Sequence, residues 1–576
     1  MNIQKNLHEA MVLFQKRDYP GAEKILRKVL RRHPGHTETL SNLAVVCINL
    51  NEIDTALKLL KKSLTISYDE KTFKNYLQIL AQTKKWQDLI ETVQLFNKDN
   101  EWVSLQLAIA YRELGDFKKS IDKYEEIIHG SPQNVETYIS YGFTLNLNEQ
   151  YDEAINVYEK GLIKHPENFI LNYNLGVVYA NINKSKEAVR QLEKASTFNS
   201  GNFNLWITLA AQYAQLRDVE AAMKALKKCE EIDSKNSLIE FQEATINMNL
   251  GKLDIAENIL KNILKKEPEN IETNYHLGLI KLMRHDYENL MPYYRYRTKR
   301  VNKFGEFDDF NLPLLKQSDN ILISWEQGIG DQFLYLRLIP EFIKIYKSVT
   351  YLATDKTYDA LSEMYPQIKI ISVTEYRKNE SQFTNFQKIN LATMINYIPD
   401  LNEKLSQKKH VDFNKILFKN RRIGISWRSE NKKIGSEKSI NLEQFSELFE
   451  NSYKFISLQY GDVNDEINQF NINKRNKLQV LPNLDYFNDI KGLLNLISDC
   501  DLVITVSNVT VHLACSLGIP TILLCPKSHG KLWYWYGDNN QSKFYPSLMI
   551  VKQENDNYWD NEIKKINSFL KTKKFS

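Results

Sequence analysis

Three short stretches of the chain combine residue types that do chemistry with a spacing that would bring them together. The first is Glu326-Gln327-Gly328-Ile329-Gly330-Asp331, which follows the apolar run Ile321 to Trp325 and precedes an amphipathic segment, Gln332 to Ile345. Two glycines in a strand-to-helix turn let the backbone approach a ligand, and a helix start favours an anion. Asp331 there is either a helix cap on a tight turn or an acid facing a cleft. The second stretch, Arg422 to Arg428, ends in Trp427 and Arg428 and is followed by Lys432, Lys433, Lys438 and Ser439. A strand running into a basic loop suits the neutralisation of a phosphate or diphosphate, although the same lysines also read as solvated surface. The third, Asp501 to Pro520, carries the apolar strand Leu502 to Val506 into Ser507, Asn508, Thr510 and His512. That turn offers donors to phosphate at a helix start; its other reading is capping by Ser507 or Asn508, with His512 satisfied inside the fold.

Elements of a definite kind must hold these residues. Runs of strand length alternate with amphipathic helices from residue 320 onward: Ile321 to Trp325, Val349 to Ala353, Ile368 to Val373, Arg422 to Trp427, Lys454 to Gln459, Leu502 to Val506 and Thr521 to Cys525. Alternation of this sort predicts βαβ units and parallel sheets. A polar, lysine-rich break over Leu401 to Lys419 divides them. The reading is two Rossmann-like lobes, 318–410 and 411–576, with ligands at the carboxyl ends of the strands. Ahead of them, Tyr293, Tyr294, Arg295, Tyr296, Arg297, Lys299 and Arg300 crowd together. They read as a capping helix and junction (303–317 being the junction proper) or as a stacking patch for nucleic acid.

The first half is a repeat. Pro132, Pro166 and Pro268 share a 34-residue register. Twelve residues before each register point stand Ser120, Ala154, Ala188, Ala222 and Ala256, and twenty-four before stand Ala108, Gly142, Gly176, Ala210 and Ala244. Small residues at two fixed places let paired helices approach, and a large partner (Leu26, Leu60, Tyr124, Tyr158, Leu192, Leu226, Leu260) recurs eight residues before the register point. One unit, Asp69 to Lys98, is about four residues short and would put Lys74 and Trp86 at the small positions. Eight repeats and a partial ninth are expected over 1–302. This pattern resembles the tetratricopeptide repeat. Such an array forms a superhelix whose groove takes a protein, with Asn42, Asn146, Asn172, Asn174 and Asn181 as groove candidates or plain solvated positions.

Composition narrows the classes. In 576 residues there are only 20 glycines and 14 prolines, which excludes collagenous, linker-dominated or turn-dense all-β chains. The net charge of +5, from 76 basic and 71 acidic residues, gives no ground for a nucleic-acid partner. Cys47, Cys229, Cys500, Cys515 and Cys525 are scattered among apolar neighbours, as expected for reduced core residues of a cytoplasmic protein. No export signal is expected, because Met1-Asn2-Ile3-Gln4-Lys5-Asn6 leads into a polar helical pattern without an apolar core, and no transmembrane segment, because the most apolar long stretch, Leu502 to Cys525, is interrupted by polar residues. The lysine-rich end (Lys564, Lys565, Lys571, Lys573, Lys574) reads as a solvated helix or as a membrane-facing one.

The motifs occur in an order that resembles bacterial tetratricopeptide-repeat glycosyltransferases. Glu326 to Asp331, Gly424 to Trp427, Lys438-Ser439-Ile440-Asn441-Leu442 and Asp501 to Pro520 are joined by Lys531-Leu532-Trp533-Tyr534-Trp535 and Phe544-Tyr545-Pro546-Ser547. The catalytic half is similar to the heptosyltransferase family, and the layout is similar to O-linked N-acetylglucosamine transferases. The resemblance implies a repeat solenoid followed by a GT-B fold, with the nucleotide-sugar donor held mainly by the second lobe. It implies transfer to a protein acceptor recruited by the repeats, flagellin or another surface protein being candidates. Position by position, it implies that Asp331 is the general base. Gly328, Gly330, Trp427, Arg428, Lys438, Ser507, Asn508, Thr510 and His512 would lie at the donor, with neither a cofactor nor a metal. Where that family carries Asp-Thr-Gly, this chain has Ser507-Asn508-Val509, which points away from ADP-heptose. The altered turn leaves open a non-catalytic scaffold with a degenerate sugar-nucleotide domain, and transfer to lipopolysaccharide is a further alternative.

Overall fold

The computed structural model describes residues 3–573 except 99, 131–132, 301–305, 309, 432–434, 473, 528–531, 537–539 and 555–557; Pro132, Lys432, Lys433, Lys531 and Lys574 lie outside the described residues. The chain forms two compact units, 1–200 and 201–576.

The first unit is six helix pairs: α1–α2 (Ile3–Gln15, Tyr19–Arg32), α3–α4 (Thr37–Asn49, Ile53–Ile66), α5–α6 (Glu70–Gln82, Trp86–Phe96), α7–α8 (Glu101–Glu113, Phe117–His129), α9–α10 (Val135–Leu147, Tyr151–Lys164) and α11–α12 (Phe169–Asn181, Ser185–Phe198). The small residues do what their size allows. Ala22, Ala44, Ala56, Ala108, Ser120, Ala154 and Ala188 are all fully buried between paired helices, and the Ser120 hydroxyl donates to the Ala108 carbonyl at 2.7 Å. Each pair turns through one left-handed residue, Arg17, Asn51, Lys84, Gly115, Glu149 or Asn183.

In the third pair the register differs from the expected one. Leu77 and Leu89, not Lys74 and Trp86, occupy the close-contact positions and are fully buried, while Lys74 is exposed. The physical reason lies in the helix starts, Thr37, Glu70 and Glu101: one residue is lost before α5 and three at the end of the shortened α6. Val93 takes the place of the usual bulky partner, so the larger leucines are accommodated.

The second unit opens with α13–α14 (Phe203–Gln215, Val219–Asp233) and α15–α16 (Ser237–Asn249, Leu253–Lys266) and then α17 (Ile271–Met283), with the short helices α18 (Met291–Tyr294) and α19 (Arg297–Arg300) after it. A Cβ on Gly278 would stand 2.8 Å from the Tyr294 Cα, so α17 and α18 lie against one another with no side chain between them. Helical repeats thus occupy the N-terminal ~290 residues, and an α/β domain follows. Asn caps mark the repeat across both units: Asn100, Asn134, Asn168, Asn202, Asn236 and Asn270, spaced by 34, each accept a hydrogen bond from a backbone N–H in the first turn of a pair's first helix.

The first lobe runs β1 (Asn320–Ser324), α20 (Ile329–Leu336), α21 (Ile339–Ile345), β2 (Ser348–Ala353), α22 (Asp355–Met364), β3 (Lys369–Ser372), α23 (Val373–Lys378), β4 (Gln387–Asn390) and α24 (Leu401–Ser406). Its parallel sheet has the order β3-β2-β1-β4, with Ile321 beside Val349 and Gln387. The expected helix Gln332 to Ile345 is two helices, because Pro340 has no N–H to give and stands in the first turn of α21.

The second lobe runs β5 (Arg422–Ser426), α25 (Gly435–Lys438), β6 (Lys454–Ser457), α26 (Asn464–Asn471), β7 (Leu478–Gln479), α27 (Ile490–Ser498), β8 (Leu502–Val506), α28 (Val509–Ser516), β9 (Thr521–Cys525), β10 (Leu548–Lys552) and α29 (Asp560–Lys571). Its parallel order is β10-β9-β8-β5-β6-β7, the doubly wound arrangement. The lobes share one apolar cluster, in which Ile321, Ile323 and Phe333 join Val503, Val511 and Leu513 where α20 packs on α28. Among the described residues, no helix is long and apolar enough to cross a membrane.

Candidate functional site

Strand order places the site. In the first sheet the winding reverses between β1 and β4, and in the second between β5 and β8, so each sheet opens a crevice at those carboxyl ends. A cavity of ≈ 510 Å³ lies there. The turn after β1 gives it Gln327, Gly328, Gly330 and Asp331; the loop after β5 gives Ser429, Asn431 and Lys438. Tyr460 comes from beyond β6, and Ser507, Asn508, Val509 and His512 follow β8.

Asp331 sits in the first turn of α20, where its Oδ2 accepts from the Gly328 N–H at 3.2 Å. Burial pushes its carboxyl up to about 6, with Glu326 adding to the rise, while the Gly328 hydrogen bond and Lys438 oppose it. The cap position itself belongs to Gly328, so Asp331 is not the cap: from the third helical position its carboxylate holds the Gly328 N–H, and it also lines the cavity. A carboxyl titrating near 6 can take a proton at neutral pH and still be a stronger base than an ordinary aspartate.

His512 crosses from the other lobe. A Cβ on Gly330 would stand 2.7 Å from the His512 Cδ2, so only glycine admits the ring. Its Nδ1 pairs with the Tyr545 hydroxyl at 2.9 Å, and the ring stacks on Trp535. Burial, with the charge of Lys438 adding to it, pushes the imidazole down to about 3, so it is neutral at physiological pH. Lys438 is 4% exposed and lines the same cavity. Ser507 lines it too, its hydroxyl accepting from Trp535 Nε1 at 2.9 Å.

Asn508 is both wall and brace. Its Oδ1 caps the Thr510 N–H at 3.0 Å, and its Nδ2 donates to Ser426 Oγ at 2.7 Å and to the Arg428 carbonyl at 3.0 Å. The two switch-point loops of the second lobe are tied by that one side chain.

Three expected donor residues are corrected by their surroundings. Trp427 is fully buried among Ile423, Ile425, Ile440 and Phe445, with its indole N–H on Glu466 at 3.0 Å, and does not line the cavity. Arg428 is turned to Glu430, at 3.0 Å, and to the Asp462 carbonyl, at 3.2 Å. The Thr510 side chain is fully buried against Ser426 and the Leu458 carbonyl.

The repeat asparagines divide as well. Asn172 is fully buried and bonds the Pro166 and Asn168 carbonyls, as Asn274 does with Pro268 and Asn270, so it closes a turn and offers nothing to a groove. Asn181 donates to Asn146 at 2.9 Å across neighbouring pairs, and Asn174 bonds Tyr158. Asn42 lines a small cavity of ≈ 90 Å³ with Leu7, Met11, Phe14 and Val45.

Sequence reasoning passed over α17 as part of the site, and named Tyr294 and Arg297 only as part of the junction. Tyr275, Leu279 and Met283 of α17, with Tyr294, also line the 510 Å³ cavity. No signal in the sequence marks the α17 residues, because the same helix carries Glu272, Asn274, His276 and Lys281 and reads as an ordinary repeat helix. Arg297, fully buried, grips Glu326 with Nε at 2.6 Å and NH2 at 3.1 Å and reaches Thr393 at 2.6 Å; the Glu326 carboxylate also accepts from the Ala392 N–H. The basic, aromatic stretch is thus a structural junction, not a stacking patch.

Comparison with known proteins bears on the repeat half. The tetratricopeptide repeat family matches residues 13–74, 102–134, 148–203 and 203–236, so such repeats extend over the N-terminal ~240 residues. Protein FlbA of Caulobacter vibrioides is 21% identical over 285 residues, 44% of this chain and 46% of FlbA, so the chain spans about half the length of that curated relative. The C-terminal part of a TPR repeat-containing protein from Cytophaga hutchinsonii is 19% identical, covering 40% of this chain and 97% of that one with a TM-score of 0.34. A tetratricopeptide repeat protein from Parabacteroides merdae is 16% identical, covering 44% and 98%, with a TM-score of 0.33.

Proposed function

We propose that the α/β half is a glycosyltransferase that moves a sugar from a nucleotide donor to a serine or threonine hydroxyl of a protein recruited by the repeats. The observation that carries the reading is a carboxyl raised to about 6, Asp331, sharing a switch-point cavity with the cation Lys438. Asp331 takes the hydroxyl proton as the acceptor oxygen bonds to the anomeric carbon, and the bond from that carbon to the donor phosphate breaks. The electron pair leaves on the phosphate, whose charge Lys438 balances. Val509, the first residue of α28, lines the cavity, so the positive end of that helix faces the same charge. Base and ribose fit a second cavity of ≈ 530 Å³ beyond β6 and β7, reached through Tyr460, which stands between its lining residues Gln459 and Gly461.

The test is incubation of the full chain with UDP-, GDP-, ADP- and CMP-linked sugars, reading nucleotide release and mass gained by co-expressed proteins. Transfer that falls by about 10² to 10⁴ in Asp331→Asn is the expected result. Undiminished transfer in that variant would overturn Asp331 as the base, and no turnover of any donor would overturn the enzyme.

One observation favours a second reading, a repeat scaffold whose α/β domain binds a sugar nucleotide without turning it over. The Thr510 N–H and the Asn508 amide are already bonded within the protein, which leaves fewer donors for phosphate than such a turn usually presents. Binding of a nucleotide sugar in a thermal-shift screen, with no product formed, identifies that case.

A further inference from the structure

The cavity that holds Asp331 has two chemically different walls. One is polar and charged: Asp331, Lys438, Ser429, Asn431, Ser507 and Asn508. The other comes largely from the last repeat helix. Tyr275, Leu279 and Met283 stand at i, i+4 and i+8 of α17, a spacing that puts them in one stripe on one helix face. Leu532 and Trp533 belong to the same cavity, and α17 packs against the 3₁₀ turn Trp533–Trp535. The three α17 side chains rest on the shared apolar cluster yet stay only partly buried. An apolar stripe left partly wet inside a cavity gains by being covered with an apolar group.

The donor does not supply that group. A sugar phosphate presents hydroxyls and charge, which match the polar wall, and the base has its own cavity beyond β6 and β7. The acceptor is what remains. Resting on the transferase reading above, we infer that the α17 stripe is an acceptor subsite, and that it selects a polypeptide hydroxyl flanked by an aliphatic or aromatic residue. The volume of ≈ 510 Å³ suits a sugar with one or two side chains and is too small for the acyl chains of a lipid acceptor. The stripe belongs to the repeat array, the part of the chain suited to holding a polypeptide, so recruitment and selection meet on one helix.

The experiment uses the full chain and whichever donor it turns over, with peptides Ala-Ala-X-Thr-X-Ala-Ala in which X is Leu, Phe, Asp or Lys. The wild type is expected to favour Leu or Phe over Asp or Lys at least tenfold in kcat/KM. Leu279→Asn should cut that ratio to threefold or less. Because the ratio is taken within one protein, a general loss of activity cancels, and Met283→Gln serves if Leu279→Asn does not fold. Donor turnover with no preference among peptides overturns the subsite while leaving the transferase standing. Transfer only to a detergent-solubilised lipid glycan overturns it too, as does a tenfold loss of affinity for the free nucleotide in Leu279→Asn, which would give the wall to the donor. Absence of turnover with every donor fells both readings.

Discussion

Gly330 and His512 meet across the two lobes, and the space a Cβ would need on Gly330 is taken by the imidazole, 2.7 Å from Cδ2 and 3.2 Å from Nε2. His512 cannot give way easily, because Tyr545 holds its Nδ1 and Trp535 and Tyr534 enclose the ring. Gly330→Ala should therefore force α20 and α28 apart and cost about 1–3 kcal/mol, the usual range for overpacking. Urea unfolding of the α/β transition measures it. A variant as stable as the wild type would show that the contact is slack.

The Arg297–Glu326 pair joins the end of the repeats to the turn that carries Asp331. Both side chains are fully buried, and the carboxylate has a third donor in the Ala392 N–H. Arg297→Met leaves that carboxylate uncompensated and should cost about 3–5 kcal/mol. Adding Glu326→Gln should recover a good part of the loss, since the orphaned charge goes with it. A double-mutant cycle by denaturation reads the coupling; additive losses would mean that the pair is not coupled.

Parts of this architecture stand open in the sequence and parts do not, for reasons visible at single residues. The repeat was readable because a 34-residue period in side-chain size survives any local irregularity, and the Asn100-to-Asn270 caps repeat the same period. The break at Lys74 and Trp86 misled because a period cannot tell where within a unit residues are missing. Asp331, Lys438 and His512, which the structure brings to one cavity, were within reach because each lies on a connection leaving the carboxyl end of a strand, where a doubly wound fold exposes its residues. Trp427 was misplaced although its parity was available: it shares a face with Ile423 and Ile425, and that face is core. Tyr275, Leu279 and Met283 were beyond reach, because whether one apolar stripe of a repeat helix meets a neighbouring helix or a cavity depends on what packs against it.

The turn residue between paired helices offers a test of backbone strain. Gly251 has φ +75° and no atom within 4 Å of a would-be Cβ, while the exposed Lys84, at the corresponding turn of the third pair, has φ +57°. Non-glycine residues in this region cost roughly 1–2 kcal/mol, partly offset by the extra freedom glycine has when unfolded. Gly251→Ala should thus lower stability by about 1 kcal/mol and Lys84→Gly raise it by about 0.5 kcal/mol. Opposite shifts of melting temperature check the pair, and shifts of the same sign would locate the effect in side-chain contacts instead.

Asp331 and His512 make opposite demands on pH. The Asp331 carboxyl, pushed up to about 6 from an unfolded value near 3.8, binds its proton more tightly when folded. Its contribution is fully present below about pH 4 and is lost as pH rises through 6, amounting to at most about 3 kcal/mol. His512, pushed down to about 3 from 6.5, does the reverse: the stability of its neutral form is present above 6.5 and is lost as pH falls toward 3. His285, pushed down to about 4 by burial, acts in the same direction as His512. The two effects overlap between about pH 4 and 6, so the wild-type profile alone does not separate them. Asp331→Asn removes only the first. Its stability relative to the wild type should be equal near pH 4 and grow to an advantage by pH 7, the range in which the proposed base would carry its charge. Transfer by the wild type should rise through pH 6 over the same interval. Melting curves of both proteins from pH 4 to 8 decide the matter, since a constant gap would mean that Asp331 titrates as an ordinary, solvated aspartate.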